Sequence, residues 1–207
     1  MINISELLKI DKKIILASRS PRRKKLLEQL GFRIEIKPAD IDEDNYPQDL
    51  TPPETAKFLA AEKAKAVLQQ SSESSFIISA DTIVVLDGKI LNKPQDEAEA
   101  ESMLLKLSNR THTVYTGLAI ADSDTNRIVK DVQATEVTFR ELSIDEIRAY
   151  ISTGSPMDKA GAYGIQDDFG AVFVRTISGC YYNIVGLPLE MLYTNFSKIR
   201  ANDEVER

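Results

Sequence analysis

The sequence predicts an α/β fold built on a mixed β-sheet, and three observations carry that reading. Lys13–Ala17 is an apolar, buried-type strand that runs directly into a capped helix. Phe76–Leu86 is a second, longer apolar strand, reached through another helix. Thr111–Ala121 and Arg127–Arg140 are two long β-rich runs joined by Asp122–Asn126, most simply a hairpin. Strands separated by helices, combined with hairpins, make the sheet mixed and place helices against it.

Each element has its own signal. Residues 1–12 read as a short amphipathic lead-in. Pro21–Leu30 is a helix with Ser20 as its cap, Pro21 at the first position and Gly31 as its left-handed stop. Phe32, Ile34 and Ile36 alternate with charged residues and predict a half-buried strand; Ala39–Leu50 is an acidic loop. Thr51-Pro-Pro-Glu54 is a capping box that starts a helix running to about Gln70. Asp87-Gly88 turns Phe76–Leu86 tightly into a short strand at Lys89–Leu91. Asp96 with Glu99, and Ser143 with Glu146, start helices ending near Leu107 and Ser152. Ser155–Gly170 is loop-like and rich in small residues, and Val172–Ile177 with Tyr181–Val185 reads as a last strand pair. Leu187–Ile199 is the closing helix, followed by a charged tail expected to fray from Arg200. No repeat or composition shift marks a linker, so residues 1–207 are expected to form one domain.

Composition narrows the function. The 207 residues are 43% hydrophobic and 28% charged, enough for a real core. A formal net charge of -6 argues against non-specific nucleic-acid binding, although it leaves room for a basic cleft in an acidic body. No apolar run approaches the roughly 20 residues of a membrane span, and the N-terminus does not read as a signal peptide. One cysteine, Cys180, excludes an internal disulfide framework and fits a reducing, cytoplasmic compartment. A single histidine, His112, with no cysteine cluster argues against zinc.

The residues that look like chemistry are charged groups in unusual places. Arg22 and Arg23 occupy a helix's first turn, where each exposed cation costs roughly 0.3–1 kcal/mol against the dipole. A bound phosphate would reverse that sign; a solvated basic face would merely tolerate it. Asp81 lies within the apolar strand Phe76–Leu86, where a carboxylate is costly unless paired, hydrogen-bonded or metal-bound. It is either a general base or Mg²⁺ ligand, or a structural carboxylate satisfied by backbone N–H groups. Asp40, Asp42, Glu43 and Asp44 crowd one loop and are either solvated or metal- and substrate-facing. Taken alone, Glu62 and Lys63 read as a solvated helix face, and Lys93 as a surface residue. In the stretch from Asp158 to Gln166, glycines and alanines leave room for backbone to approach a ligand. Lys159 and Gln166 bracket that stretch, and the Gln166 amide offers a donor beside an acceptor, matching the mixed edge of uracil or thymine. A glycine-rich turn without a ligand fits the same residues.

Six short stretches, in order, resemble the Maf family of nucleoside triphosphate pyrophosphatases. They are Ser18-Arg-Ser-Pro-Arg-Arg23, Ala61-Glu-Lys-Ala64, Ala80-Asp-Thr-Ile-Val84, Asn92-Lys-Pro94, Asp158-Lys-Ala-Gly-Ala-Tyr-Gly-Ile-Gln166 and Val185-Gly-Leu-Pro188. The resemblance implies a long, bent mixed sheet with two lobes around a cleft, similar to inosine triphosphate pyrophosphatases. It implies hydrolysis of a nucleoside triphosphate to monophosphate and pyrophosphate with a divalent cation, Mg²⁺ or Mn²⁺. By motif, Asp81 is the proton acceptor that activates water, and Asp81 and Glu43 are the metal-facing carboxylates. Arg22, Thr82 and Gln166 fall at the positions that set base specificity. Ser18, Arg23, Lys63, Lys93 and Lys159 fall where phosphate and substrate are contacted. The family branch acting on 7-methylguanosine triphosphate tends to carry an aromatic, Gln and Glu where this chain has Arg22, Thr82 and Gln166, so the dTTP/UTP branch is expected. Asp167-Asp168-Phe169 departs from the family's small residues and bears on the base pocket.

The expected partner is a nucleoside triphosphate, not nucleic acid or membrane; a homodimer is compatible with the resemblance. Two other readings remain open: a broader house-cleaning pyrophosphatase for non-standard nucleotides, and a nucleotide-sensing cell-division regulator without turnover. The second is disfavoured by Asp81, because a carboxylate facing a polyphosphate repels it unless metal intervenes.

Overall fold

The computed structural model describes residues 4–166 and 168–201. A single helical turn, α1 (Ile4–Leu7), precedes β1 (Lys13–Leu16) and α2 (Pro21–Gln29). The start of α2 is the one its sequence dictates: the Ser20 hydroxyl accepts from the Arg23 N–H, and Gly31 takes φ +83° just past the end. β2 (Ile34–Ile36) is shorter and more exposed than its alternation predicts, with Ile36 44% accessible, because it is an edge strand paired with β1 alone. After the irregular acidic stretch comes α3 (Pro52–Leu68), where Glu54 accepts from the Thr51 N–H at 2.9 Å. β3 (Ser75–Leu86) turns into β4 (Lys89–Leu91) through Asp87 and Gly88, both at positive φ. α4 (Glu97–Leu107), the hairpin β5 (Thr111–Asp122) and β6 (Ile128–Phe139), and α5 (Ile144–Ile151) follow as expected.

The C-terminal third differs from its sequence reading. Ser155–Asp158 and Ala160–Ala162 are 3₁₀ turns, and α6 (Asp168–Phe173) occupies residues read as loop and as the start of a strand. Only β7 (Val174–Ser178) remains of the expected strand pair. Tyr181–Val185 is a helical turn, α7, and not a strand. Its aromatic and β-branched residues favour a strand, but the buried Asn183 amide donates to Val114 O and Thr135 Oγ1, and Gly186 closes the turn at φ +111°. α8 (Leu189–Ala201) begins two residues later than expected, directly after Pro188. Asp167 and residues 202–207 of the expected tail lie outside the described residues.

The sheet is mixed, in the order β2-β1-β3-β5-β6-β7, with β4 on the end of β3. β1 runs parallel to β2 and β3, and the other pairs are antiparallel. On one edge of β3, β1 pairs as far as Ile78 and β4 begins at Val84, leaving residues 79–83 open between them. The other edge is fully occupied by β5. Two-residue periodicity then sorts the side chains of β3. Ile78 and Ala80 join a core with Leu26, Leu27 and Phe196; Val84 and Leu86 join a second core with Leu104, Ile147 and Phe139. Thr82 falls between these two cores. The opposite face, with Ser79 and Asp81, is covered by α3, whose Ala60, Ala61 and Ala64 pack against Ile77. The approach is close enough that the Ser79 hydroxyl donates to Ala60 O at 2.6 Å. A Cβ on Gly117, the β5 partner of Asp81, would lie 2.0 Å from Ala56 O.

Candidate active site

The open edge of β3 is one wall of a cleft of about 670 Å³, within the usual size for a small-molecule site. Ser18, Arg22, Arg23, Glu43, Lys63, Asp81, Thr82, Lys93, Lys159 and Gln166 all line it, so every side chain to which the family resemblance gave a role is in one place. Six basic side chains, the sixth being Arg19, face four carboxylates there, which makes the cleft locally basic in a chain of net charge -6.

Asp81 and Thr82 are adjacent on β3 and therefore reach the cleft from opposite faces of the sheet. On the Asp81 side, the Lys63 ammonium donates to Asp81 Oδ1 at 2.6 Å and pairs with Glu43 Oε1 at 2.7 Å. The isolated reading of Lys63 as a solvated residue fails: it is 7% exposed, because it lies on the same helix face as Ala56, Ala60 and Ala64. Glu62 does stay outside, paired with Lys65. Glu43 is the member of the acidic loop that reaches Lys63, and its other oxygen is 3.4 Å from Lys93. Burial raises the Glu43 carboxyl, but Lys63 and then Lys93 outweigh it and hold the group below its ordinary value.

On the Thr82 side, α2 delivers Arg23 through the loop that leaves β1. Arg23 Nε donates to Gly186 O at 2.8 Å, Nη1 to the Ser18 hydroxyl at 3.1 Å and Nη2 to the Thr82 hydroxyl at 3.2 Å. Burial lowers the Arg23 pKa from its usual value and the charge of Asp81 opposes that shift. A guanidinium so far above neutrality remains charged. Arg22, its neighbour, instead points toward Asp158, 3.5 Å away. The two arginines thus have different partners.

The third wall is the stretch from Asp158 to Gln166. Lys159 is buried, and its ammonium donates to Asp158 at 2.7 Å and to Ser155. Burial raises the Asp158 carboxyl, but Lys159 and then Arg22 pull it below its ordinary value. The glycines here serve packing more than ligand access. A Cβ on Gly161 would meet Val84 at 2.9 Å, and one on Gly170 would meet Gly164 O at 2.0 Å. Gln166 is exposed on the cleft wall, and the side chains of Asp167 and Asp168 lie outside the described residues.

The sequence singled out no role for Tyr163, which borders the cleft and whose hydroxyl meets His112 Nε2 at 2.8 Å. Burial pulls His112 down to about 4, and burial together with the neighbouring Tyr150 raises Tyr163 well above its usual range, so both are neutral near pH 7. His112 is a core residue, 2% exposed. Among the described residues no group of three or more His, Cys, Asp or Glu side chains forms a ready metal site, and no helix is long and apolar enough to cross a membrane.

A divalent cation nonetheless suits the donors present. Asp81 and Glu43 already share one cation, the Lys63 ammonium, and carboxylate oxygens are the ligands hard cations choose. Two carboxylates leave most of a Mg²⁺ shell to be filled by water or phosphate oxygens, as is usual for nucleotide-bound metal.

A family model described as Maf-like protein matches residues 13–199. A dTTP/UTP pyrophosphatase of Caldicellulosiruptor saccharolyticus is 48% identical over 191 residues, covering 91% of this chain and 95% of that protein. One from Syntrophomonas wolfei is 50% identical over 187 residues, covering 90% and 97%. Among solved structures, the Staphylococcus aureus Ham1 protein is similar over 62% of this chain and 72% of its own, with 15% identity and a TM-score of 0.43.

Proposed function

The chain belongs to the Maf-like family, and from that premise we propose that it hydrolyses dTTP and UTP to the nucleoside monophosphate and pyrophosphate. The observation that carries the reading is a buried carboxylate, Asp81, facing a lysine-rich and arginine-rich cleft from the centre of a rigid sheet. The names of the relatives support the substrate class.

In the proposed reaction, water attacks the α-phosphorus and the bond to the β-phosphate breaks, so pyrophosphate leaves. Asp81 takes the proton of that water, which is the role its placement suits. Lys63 orients the Asp81 carboxylate through the 2.6 Å hydrogen bond. Arg23, Lys93 and Lys159, with the Ser18 hydroxyl, bind the phosphates and carry charge that moves onto the leaving group. Asp81 and Glu43 would hold a divalent cation together with phosphate oxygens, and when bound it supplies charge neutralisation. Gln166 reads the base: its amide pairs a donor with the pyrimidine carbonyl and an acceptor with N3–H. Arg22 joins Gln166 in selecting the base, and Thr82 contributes through its contact with Arg23.

The test is pyrophosphate release from a panel of nucleoside triphosphates with and without Mg²⁺. dTTP and UTP should lead the panel. Binding without release of pyrophosphate from any member would overturn the reading.

A further inference from the structure

Thr116 and Asn183 belong to none of the motifs above, and both are 0% exposed. Thr116 stands directly opposite Thr82 across the β3–β5 ladder, with the two hydroxyl oxygens 2.9 Å apart. Thr116 Oγ1 also donates to the backbone carbonyl of Asn183 at 2.9 Å, a group that can only accept. A hydroxyl has one hydrogen, so Thr116 spends its own on Asn183 and must accept from Thr82. Thr82 has then spent its hydrogen too, and toward Arg23 it can only accept, which it does from Nη2. The direction of donation is fixed along the whole chain, from Arg23 to Thr82 to Thr116 to the Asn183 carbonyl.

Both ends of this chain close on α7. Arg23 Nε donates to Gly186 O, at the residue that caps the same helical turn. α7 is itself fixed, since the Asn183 amide donates to Val114 O and Thr135 Oγ1 at 2.9 and 2.8 Å. The guanidinium is therefore held at two nitrogens by one helical turn, directly and through two threonines.

We infer that Thr116 is a positioning residue that aims Arg23 at the phosphates, and that Thr82 acts by accepting from Arg23 and not by donating to the base. The inference rests on reading the cleft as a triphosphate site. Stability does not account for the arrangement. The Asn183 carbonyl also accepts the Gly186 N–H at 3.0 Å, so it keeps a partner if Thr116 loses its hydroxyl. Thr82 borders the cleft, where water can replace Thr116. Valine matches threonine in shape and suits a strand.

The experiment compares the full chain with Thr116→Val and Thr116→Ser. In Thr116→Val the KM for dTTP and for UTP should each rise about tenfold, the scale of one aimed hydrogen bond to a charged group. The ratio between the two substrates should not change, the melting temperature should hold, and Thr116→Ser should restore KM. An unchanged KM, a changed dTTP:UTP ratio, or a loss that tracks melting temperature and is not rescued by serine would overturn it. A wild-type chain without pyrophosphate release would instead sink the enzymatic reading. The inference is then read by inorganic tripolyphosphate, whose stabilising shift of the melting temperature should shrink in Thr116→Val and return in Thr116→Ser; equal shifts in all three proteins would overturn it.

Discussion

Lys63 Nζ lies 2.6 Å from Asp81 Oδ1 across the seam between α3 and β3, and each residue is 7% exposed. Removing one partner of such a pair leaves the other charge buried, which costs far more than the intact pair contributes. Asp81→Asn keeps an acceptor oxygen for Lys63, and Glu43 stays paired with it. Turnover should then fall by about 10²-fold or more while the urea midpoint barely moves. Lys63→Met should instead lose about 3–5 kcal/mol of stability in the same unfolding measurement. Near-normal turnover in Asp81→Asn would remove it from the role of base.

The base-reading assignment of Gln166 is checked by charge. A carboxylate at that position cannot donate to a pyrimidine carbonyl, whereas it accepts readily from guanine's adjacent donors. Gln166→Glu should lower kcat/KM for dTTP and UTP relative to GTP by about tenfold or more. An unchanged ratio in steady-state kinetics would place the selectivity elsewhere on the cleft wall.

Metal dependence and metal stability should separate. Among the described residues no cluster of three ligands is assembled in advance, so the cation is expected to arrive with the nucleotide. EDTA should abolish pyrophosphate release, and Mg²⁺ or Mn²⁺ should restore it. The melting temperature of the nucleotide-free protein should be the same with and without chelator, and a clear drop would point to a resident metal.

The His112–Tyr163 pair predicts a pH effect on stability. Burial holds His112 at about 4 in the folded chain against an ordinary 6.5, so between those values the unfolded chain binds the extra proton. Stability from the neutral imidazole is complete above pH 6.5 and is lost as pH falls toward 4. A shift of that size is worth about 3 kcal/mol at most. Urea unfolding of wild type and His112→Gln at pH 7, 5.5 and 4.5 measures the difference, because the carboxylates titrate alike in both. Parallel curves would show that the imidazole carries no such linkage.

Much of the site was legible because polar residues in apolar patterns are conspicuous. Asp81 stands out in Phe76–Leu86, and Ser20-Pro21 announces the helix that brings Arg23 to the cleft. Lys63 is legible too in the spacing of Ala56, Ala60, Ala64 and Val67, which puts it on the buried face of its helix. Asn183 in the run Tyr181–Val185 carried the same kind of signal as Asp81, but strand propensity masked it. What turns that run into a helical turn is a set of hydrogen bonds to Val114 and Thr135, residues far away in the chain. The Arg23–Gly186 bond likewise joins elements that no local window contains. Gly161 reads in sequence as space for a ligand, and only the fold reveals that Val84 fills that space.

Gly117 has no polar side chain and does not itself line the cleft, yet it governs the cleft's chemistry through separation. With no side chain there, the Ala56 carbonyl rests where a methyl group would be, so helix and sheet meet backbone to backbone. Lys63 is two helical turns along from Ala56, about 10 Å of rigid rod, and Asp81 is the residue paired with Gly117 across the ladder. Helix, strand and hydrogen bond thus form a short closed frame whose gauge is one absent methyl. Widening that gauge would pull the ammonium off its carboxylate without altering a single charged group.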